Sequence, residues 1–353
     1  MTSEYVKVKD IDKWKISNEQ GIETRDYPST YFSKDKWIFL TKNEQRLWDK
    51  ITSDSFKLND DQMGETLTGI QSSRDEVYVI DKWKENGNYI EFNKKGTERQ
   101  IEKGILKPYL LRANLQHGAS FKSFETKTPD GWIIFPYEVV DGKAKTIPES
   151  TLKSKFPNAW SYLNDFKDAL AKRDLDEHST DWYRFGRSQS LTRIENQPKI
   201  IVGVLFKEER YIYDESNMYY QTGDTAGYVG IKMRDNSLYS VYYVLGLLNH
   251  KALEWVSSKM ASVFQRDYIA HGQTLLRELP IKKIDFQNMT EKAKHDQIAK
   301  IVQDLIETYK KLKQSKTTRN EQGILDEIKT KRKTLENTIN ELYDIQSLIK
   351  YAD

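Results

Sequence analysis

Gly69-Ile70-Gln71-Ser72-Ser73-Arg74-Asp75-Glu76-Val77-Tyr78 is the stretch on which the reading of the whole chain turns. It opens on a glycine, which allows a turn that a side chain would strain. Gln71, Ser72, Ser73 and Arg74 follow, short or forked donors suited to phosphate oxygens and base edges. The apolar run Val77-Tyr78-Val79-Ile80 is β-branched and aromatic, and predicts a strand. A plain turn joining a helix to a strand would fit the same letters, so the rest of the chain has to arbitrate.

Three more runs lie downstream: Lys107-Pro108-Tyr109-Leu110-Leu111-Arg112, Trp132-Ile133-Ile134-Phe135-Pro136-Tyr137 and Trp182-Tyr183-Arg184-Phe185-Gly186-Arg187-Ser188-Gln189. Trp132-Ile133-Ile134-Phe135 predicts a second strand, with turn residues at Pro129-Asp130-Gly131 and Asp141-Gly142. In the last run Arg184, Arg187 and Gln189, and then Arg193, stand beside Trp182, Tyr183 and Phe185. Arginine offers a planar fork that matches guanine O6 and N7, and glutamine can pair with adenine N6 and N7. An extended segment would put Arg187 and Gln189 on one face and Ser188 on the other. Surface ion pairs with nearby acids are the competing account of these arginines.

In this order and spacing the four runs resemble the TaqI-like specificity domain. That domain is the C-terminal, sequence-reading half of adenine-N6 DNA methyltransferases and of fused type IIG restriction–modification enzymes. Shorter matches support the resemblance: Leu58-Asn59-Asp60, Phe156-Pro157-Asn158-Ala159-Trp160-Ser161-Tyr162-Leu163 with Leu170-Ala171-Lys172-Arg173, Tyr242-Tyr243-Val244-Leu245-Gly246-Leu247-Leu248-Asn249, and Leu279-Pro280-Ile281. Together they run from about Lys42 to Tyr343. Two residues depart from the family's pattern. Ser72 stands where a threonine is usual, and His250 where a small residue is usual.

The resemblance implies an α+β fold: a mixed-sheet DNA target-recognition domain followed by a long C-terminal helical hairpin. The expected division is 1–60 leading into the domain, 61–289 as the domain and 290–353 as the hairpin. The expected DNA-facing set is Gln71, Ser72, Ser73, Arg74, Arg112, Arg184, Arg187, Gln189, Arg193, Tyr220, Gln221 and His271. The implied partners are double-stranded DNA and an adenine methyltransferase catalytic domain or subunit. The family's catalytic half carries a glycine-rich cofactor loop and an Asn-Pro-Pro-Tyr or Asn-Pro-Pro-Phe tetrapeptide, and neither occurs in these 353 residues. The chain is therefore expected to hold no catalytic residue, cofactor or metal of its own. It would serve as a C-terminal fragment or a separate specificity subunit. The family's base-contacting positions vary, so the target sequence does not transfer.

Composition sets the outer bounds. The net charge is only +3, so a basic face, if present, is local. Aromatics reach 12%, led by 21 Tyr, a composition that suits aromatic sheet packing and half-wet surfaces. The absence of cysteine excludes disulfides and thiolate metal sites and fits a cytoplasmic location. No apolar run approaches the ~20 residues needed to span a membrane. The segment 156–175 reads as helical, as do Asn43 to Ile51, with Asn43 able to cap its start, and 238–264. From Thr290, two apolar stripes at helical spacing predict a pair of long helices: Ile298, Val302, Leu305 and Tyr309, then Ile328, Leu335, Ile339 and Leu342. They would pack as an antiparallel hairpin or run on as one helix.

Two other function classes fit some of the letters. Asp130, Asp141 and Lys143 imitate a metal-dependent nuclease, in which two acids hold a cation that activates water. An interaction protein docking through its helices at 291–345 is the other. The five histidines, His117, His178, His250, His271 and His295, have no zinc-binding spacing. Gly223 to Gly230 lacks phosphate-loop spacing.

Overall fold

The helix Lys42–Thr52 is opened by a reciprocal cap. The Thr41 hydroxyl accepts from the Glu44 amide and the Glu44 carboxylate accepts from the Thr41 amide, at 3.3 and 2.7 Å. The cap is Thr41 rather than Asn43, because only Thr41 has a Glu three residues on to complete the box. The computed structural model describes residues 2–8, 11–17, 21–28, 37–112, 121–175, 181–195, 198–206, 211–222, 227–263, 269–270, 272–315 and 317–352. The architecture is α+β, and the chain divides into two compact units: Met1–Asp60 with Tyr242–Ser262 and Glu278–Asp353, and Asp61–Val241 with Val263–Arg277.

In the first unit Thr2–Val8 pairs antiparallel with Gly21–Pro28, and Ser55–Lys57 with Pro280–Lys282. Two long helices close the chain, Met289–Gln314 and Thr318–Tyr343. Only residues 315–317 separate them in sequence, and Thr308 meets Glu327 and Lys331 while Tyr309 meets Arg332, so the second helix folds back antiparallel on the first. Ile298, Val302 and Leu305 of one stripe and Ile328, Leu335 and Ile339 of the other are buried. The helix Val241–Leu248 lies on them at Gly246. A Cβ there would come within 2.9 Å of Val302 and 3.1 Å of Ile298, so only glycine allows the approach.

His250 ends that helix and starts the next, Lys251–Met260. Its Nδ1 accepts from the Ala252 amide at 3.2 Å, which gives the family-departing histidine a purpose as a helix cap. Burial pushes its imidazole down to about 4. The Nδ1 that accepts is the unprotonated nitrogen, consistent with a neutral ring.

The second unit is built on short sheets, one of them mixed. One has the order Ile212–Asp214, Lys199–Gly203, Tyr228–Met233, Gly64–Thr68, all antiparallel. Another has the order Tyr219–Tyr220, Leu106–Leu110, Gly131–Ile134, Val79–Ile80, in which the first pair is parallel. A third, Lys84–Asn86, Tyr89–Lys94 and Thr97–Glu102, forms a meander. Val77 and Tyr78 are not strand but belong to the helical turn Asp75–Tyr78, since both of their amides return to the Arg74 carbonyl. Helix 156–175 is likewise interrupted: Pro157–Asp165 and Lys167–Ala171 are separate. Glu102 accepts from the amides of Asn158 and Ala159 at 2.9 and 3.0 Å, capping the first of these with a negative charge at its N-terminus.

The tyrosine count has a structural use here. Tyr78, Tyr162, Tyr183 and Tyr219 are buried and donate to the carbonyls of Tyr183, Val77, Ile147 and Leu191. Each ring fills the core while its hydroxyl donates to a main-chain carbonyl. Burial raises the Tyr183 phenol to about 12.

Candidate nucleic-acid interface

Two of the motif segments and the Tyr220-Gln221 segment meet at one backbone crossing in the second unit. Ile70 bridges Gln221 in parallel and Gln71 bridges Arg187 in antiparallel fashion. The Ile70 amide donates to the Tyr220 carbonyl at 2.9 Å, and the Gly186 and Arg187 amides donate to the Ser72 and Gln71 carbonyls at 3.0 and 3.2 Å. Both glycines at the crossing are obligatory. A Cβ on Gly69 would lie 2.3 Å from the Tyr220 carbonyl oxygen, and one on Gly186 would lie 2.0 Å from the Ser73 hydroxyl.

Arg173 ties the crossing together. Its guanidinium donates to the carbonyls of Leu170, Ser72, Trp182 and Arg184 at 2.9, 2.7, 2.9 and 2.6 Å, and to the Tyr78 hydroxyl at 3.2 Å. It also lies over the Tyr78 ring, 5.4 Å from the centroid. A planar fork of five donors is the side chain that can collect carbonyls arriving from three segments. Residue-type reasoning left Arg173 out of the site because its letter gives no hint of four converging carbonyls. Its place in the Leu170-Ala171-Lys172-Arg173 match was the available signal.

The expected DNA-facing residues divide at this crossing into an inward and an outward group. Ser72 is buried, donates to Asp75 at 2.5 Å and accepts from the Arg74 amide. Tyr220 is buried, with its hydroxyl on the Leu67 carbonyl at 3.3 Å. Gln221 is buried too, and its Oε1 has no hydrogen-bond partner among the described residues. The Gln189 amide donates to the Gly69 carbonyl at 3.0 Å. Arg184 is 5% exposed and donates to Ser188 at 2.5 Å. Burial raises the Tyr137 phenol beside it to about 12, against hydrogen bonds from the Phe185 amide and Arg184.

The outward group is smaller. Ser73 is exposed on a left-handed backbone (φ 60°). Arg74 is 3.6 Å from Glu76, and Arg112 is 4.0 Å from Asp75. Arg187 is 38% exposed and donates to the Asp174 carboxylate and carbonyl at 3.1 and 3.0 Å. Gln71 is half-buried. His271 lies outside the described residues.

Arg187 and Gln189 do not share one face of an extended strand. Only Arg187 is bridged, and the chain turns at Gln189 and Ser190, where Ser190 takes a left-handed conformation (φ 57°). The turn lets Gln189 reach back to the Gly69 carbonyl, while Arg187 extends towards Asp174.

Arg193 lies farther along this loop. It pairs with Glu65 at 2.6 Å, and Lys232 holds the other carboxylate oxygen at 2.9 Å. Burial works against the ionised Glu65, but the Lys232 hydrogen bond and the two positive charges win and hold its carboxyl below the ordinary range. Arg184 and Arg193 also line an open groove of about 670 Å³ beside the antiparallel hairpin Tyr137–Val140 and Lys143–Thr146.

The nuclease triplet is spread over three different tasks. Asp130 accepts from the Leu111 amide at 2.7 Å and pairs with Lys127 at 2.8 Å. Asp141 is a hairpin-turn residue (φ 52°), and Lys143 faces the groove. Among the described residues no group of three or more metal-ligating side chains is placed to hold an ion.

Comparison with known proteins gives the wider setting. No protein-family model matches the chain. It is 29% identical over 325 residues to the type II restriction enzyme and methyltransferase RM.Eco57I of Escherichia coli, a match covering 88% of this chain and 32% of that protein. It is also 29% identical over 163 residues to the type II methyltransferase M.HindII of Haemophilus influenzae, covering 44% of this chain and 30% of that protein. M.HincII of the same species matches 161 residues at 29% identity, 44% of this chain and 31% of that protein. The chain thus spans about a third of the length of the curated relatives it matches. Its homology is to methyltransferases of type II restriction–modification systems.

Proposed function

We propose that this chain reads a DNA target sequence for an adenine-N6 methyltransferase of a restriction–modification system, and that it has no catalysis of its own. The observation that carries this is the crossing. Segments far apart in sequence are locked together by Gly69, Gly186 and Arg173, and leave Ser73, Arg74 and Arg187 on the outside. A rigid backbone presenting forked and short donors is what base-edge reading requires, since a donor misplaced by an ångström loses its pairing. The relatives support the setting, because their names join methyltransferase activity, in one case with restriction, to matches covering about a third of their length. The sequence supports the division of labour, because it contains neither the cofactor loop nor the Asn-Pro-Pro-Tyr/Phe tetrapeptide. The partners are then duplex DNA and a methyltransferase catalytic domain or subunit, and the compartment is the cytoplasm.

Fluorescence anisotropy with short random-sequence duplexes tests the reading. Weak binding that falls as salt rises is expected, because the catalytic half is expected to supply part of the DNA cleft. No binding even at low salt would remove the reading. Stoichiometric micromolar binding of S-adenosylmethionine in a calorimeter would instead move catalysis back into this chain.

A further inference from the structure

The groove beside the crossing carries charge that the fold does not use. The hairpin pairs Tyr137 with Thr146, Glu138 with Lys145, Val139 with Ala144 and Val140 with Lys143. Alternation along the strand therefore puts Lys143 and Lys145 on one face. Asp141 and Gly142 form its two-residue turn with φ of 52° and 72°, the primed geometry that matches the twist of the flanking strands. The finger is thus preorganised.

Both lysines are exposed, and neither has an ion-pair partner among the described residues. Lys103, Lys107, Lys127, Lys199 and Lys232 of the same unit, by contrast, each hold a carboxylate and are tied to the fold. Across the groove stands Arg193, half exposed and held from behind by Glu65. Glu65 serves both Arg193 and Lys232, so this cluster keeps a net positive charge. Asp181 is the acid among the lining residues, and Ser188, Ser190, Thr192 and Thr146 add hydroxyls. Short hydroxyls, lysines and a forked arginine are the residue types that contact phosphate and sugar rather than bases.

We propose that the hairpin and the facing loop form a phosphate-backbone clamp, in which Lys143, Lys145 and Arg193 grip one strand of duplex DNA. The inference rests on the DNA-reading function and deepens it by naming a second, sequence-independent contact. Residues two apart on a strand are separated by about 6.6 Å. Duplex DNA carries one charge per ~3.4 Å of axis on each strand, so two lysines at that separation can meet two separate phosphates of one strand. Lys143, the residue that gave the nuclease pattern its cation, becomes a phosphate contact instead.

The test uses the full chain and short random-sequence duplexes. The exposed substitutions Lys143→Gln and Lys145→Gln are combined, and binding is followed against salt. Losing two phosphate contacts should flatten the slope of log affinity against log salt by about 1.8, at about 0.9 per phosphate. The loss should be equal for all duplex sequences. An unchanged slope and affinity in a variant that melts like the parent overturns the clamp and leaves the DNA-reading function standing. A parent chain that binds no duplex overturns both.

Lysine acetylation read by mass spectrometry gives an answer independent of substitution. Added duplex should slow acetylation of Lys143 and Lys145 several-fold, while Lys122, 78% exposed at its side chain, keeps its rate as the control. Equal rates with and without DNA at all three positions overturn the clamp.

Discussion

The crossing in the second unit and the helical junction in the first solve the same packing problem with different residues. Each brings backbones closer than any side chain would allow, by Gly69 and Gly186 in one and by Gly246 in the other. Each also satisfies backbone groups with a side chain in an enforced charge state. At the crossing Arg173, always a cation, collects four carbonyls. At the junction His250, kept neutral, accepts one amide. The surroundings differ more. The junction is sealed by Val302, Ile298 and Leu335, whereas the crossing leaves Ser73, Arg74 and Arg187 at its rim. Close packing builds the fold in both places, and only one of them is also arranged to present donors.

The hardest test of that comparison is Arg173→Ala. It would strand carbonyls from Ser72, Leu170, Trp182 and Arg184 and remove the charge they were arranged to hold. Breaking a half-buried, charge-assisted network of this kind costs about 3–5 kcal/mol. Urea unfolding followed by tryptophan fluorescence should show it. A loss below about 1 kcal/mol would mean that the crossing is held by its apolar contacts, and that Arg173 is incidental.

The junction is tested by pH. His250 has its folded value lowered to about 4 from an ordinary 6.5, so between those values the unfolded chain binds the proton and the folded chain does not. Stability is therefore full above pH 6.5 and falls as pH drops towards 4, by at most about 3 kcal/mol at about 1.4 kcal/mol per unit. His295, also lowered by burial, adds to the loss in the same direction. His250→Asn keeps a capping acceptor and removes that titration, so its stability should fall less over the same window. Identical pH profiles for variant and parent would show that His250 is not the sensor.

How far the sequence could be read follows from the same contrast. The α+β class and the two C-terminal helices were legible, because apolar periodicity is a local property written in residues such as Ile298, Val302, Leu335 and Ile339. The four motif runs were legible as motifs, and many of their residues, Ile70, Tyr78, Tyr109, Tyr183 and Phe185 among them, are core. Element identity failed where a tertiary or capping bond overrode propensity. Val77 and Tyr78 looked like strand but close a turn on the Arg74 carbonyl. The direction of each donor was not legible either. Ser72 and Ser73 are the same residue type one step apart, yet one is buried against Asp75 and the other exposed. Arg184 and Arg187 divide in the same way. Those orientations depend on which carbonyls arrive from elsewhere in the chain, and no window of sequence contains that information.

At the rim the expected effects are smaller and concern binding. If Arg187 reads a guanine edge, Arg187→Ala should relax preference at one base pair by about 1–3 kcal/mol, a factor of roughly ten to a hundred. Methylation of a library of single-base site variants, with the partner methyltransferase reconstituted, measures it. A uniform loss across the library would demote Arg187 to backbone positioning.

The smallest effect separates a reading arginine from one that serves the fold. Arg187 already has a carboxylate partner in Asp174, whose side chain is 89% exposed. An exposed pair of this kind contributes about 0.2–1 kcal/mol, less than a good bidentate base contact. DNA should therefore win the guanidinium, at the cost of opening the pair. Asp174→Asn removes the charged competitor and a repulsive charge beside the duplex while leaving the main-chain carbonyl in place. Affinity should rise by about 0.2–1 kcal/mol, and the gain should vanish in the Arg187→Ala background, because the two residues act through one contact. Anisotropy titrations of the four proteins in this cycle decide it. A gain that persists without Arg187 would trace the effect to general repulsion, and lower affinity in Asp174→Asn would show that Asp174 orients Arg187 for reading rather than competing for it.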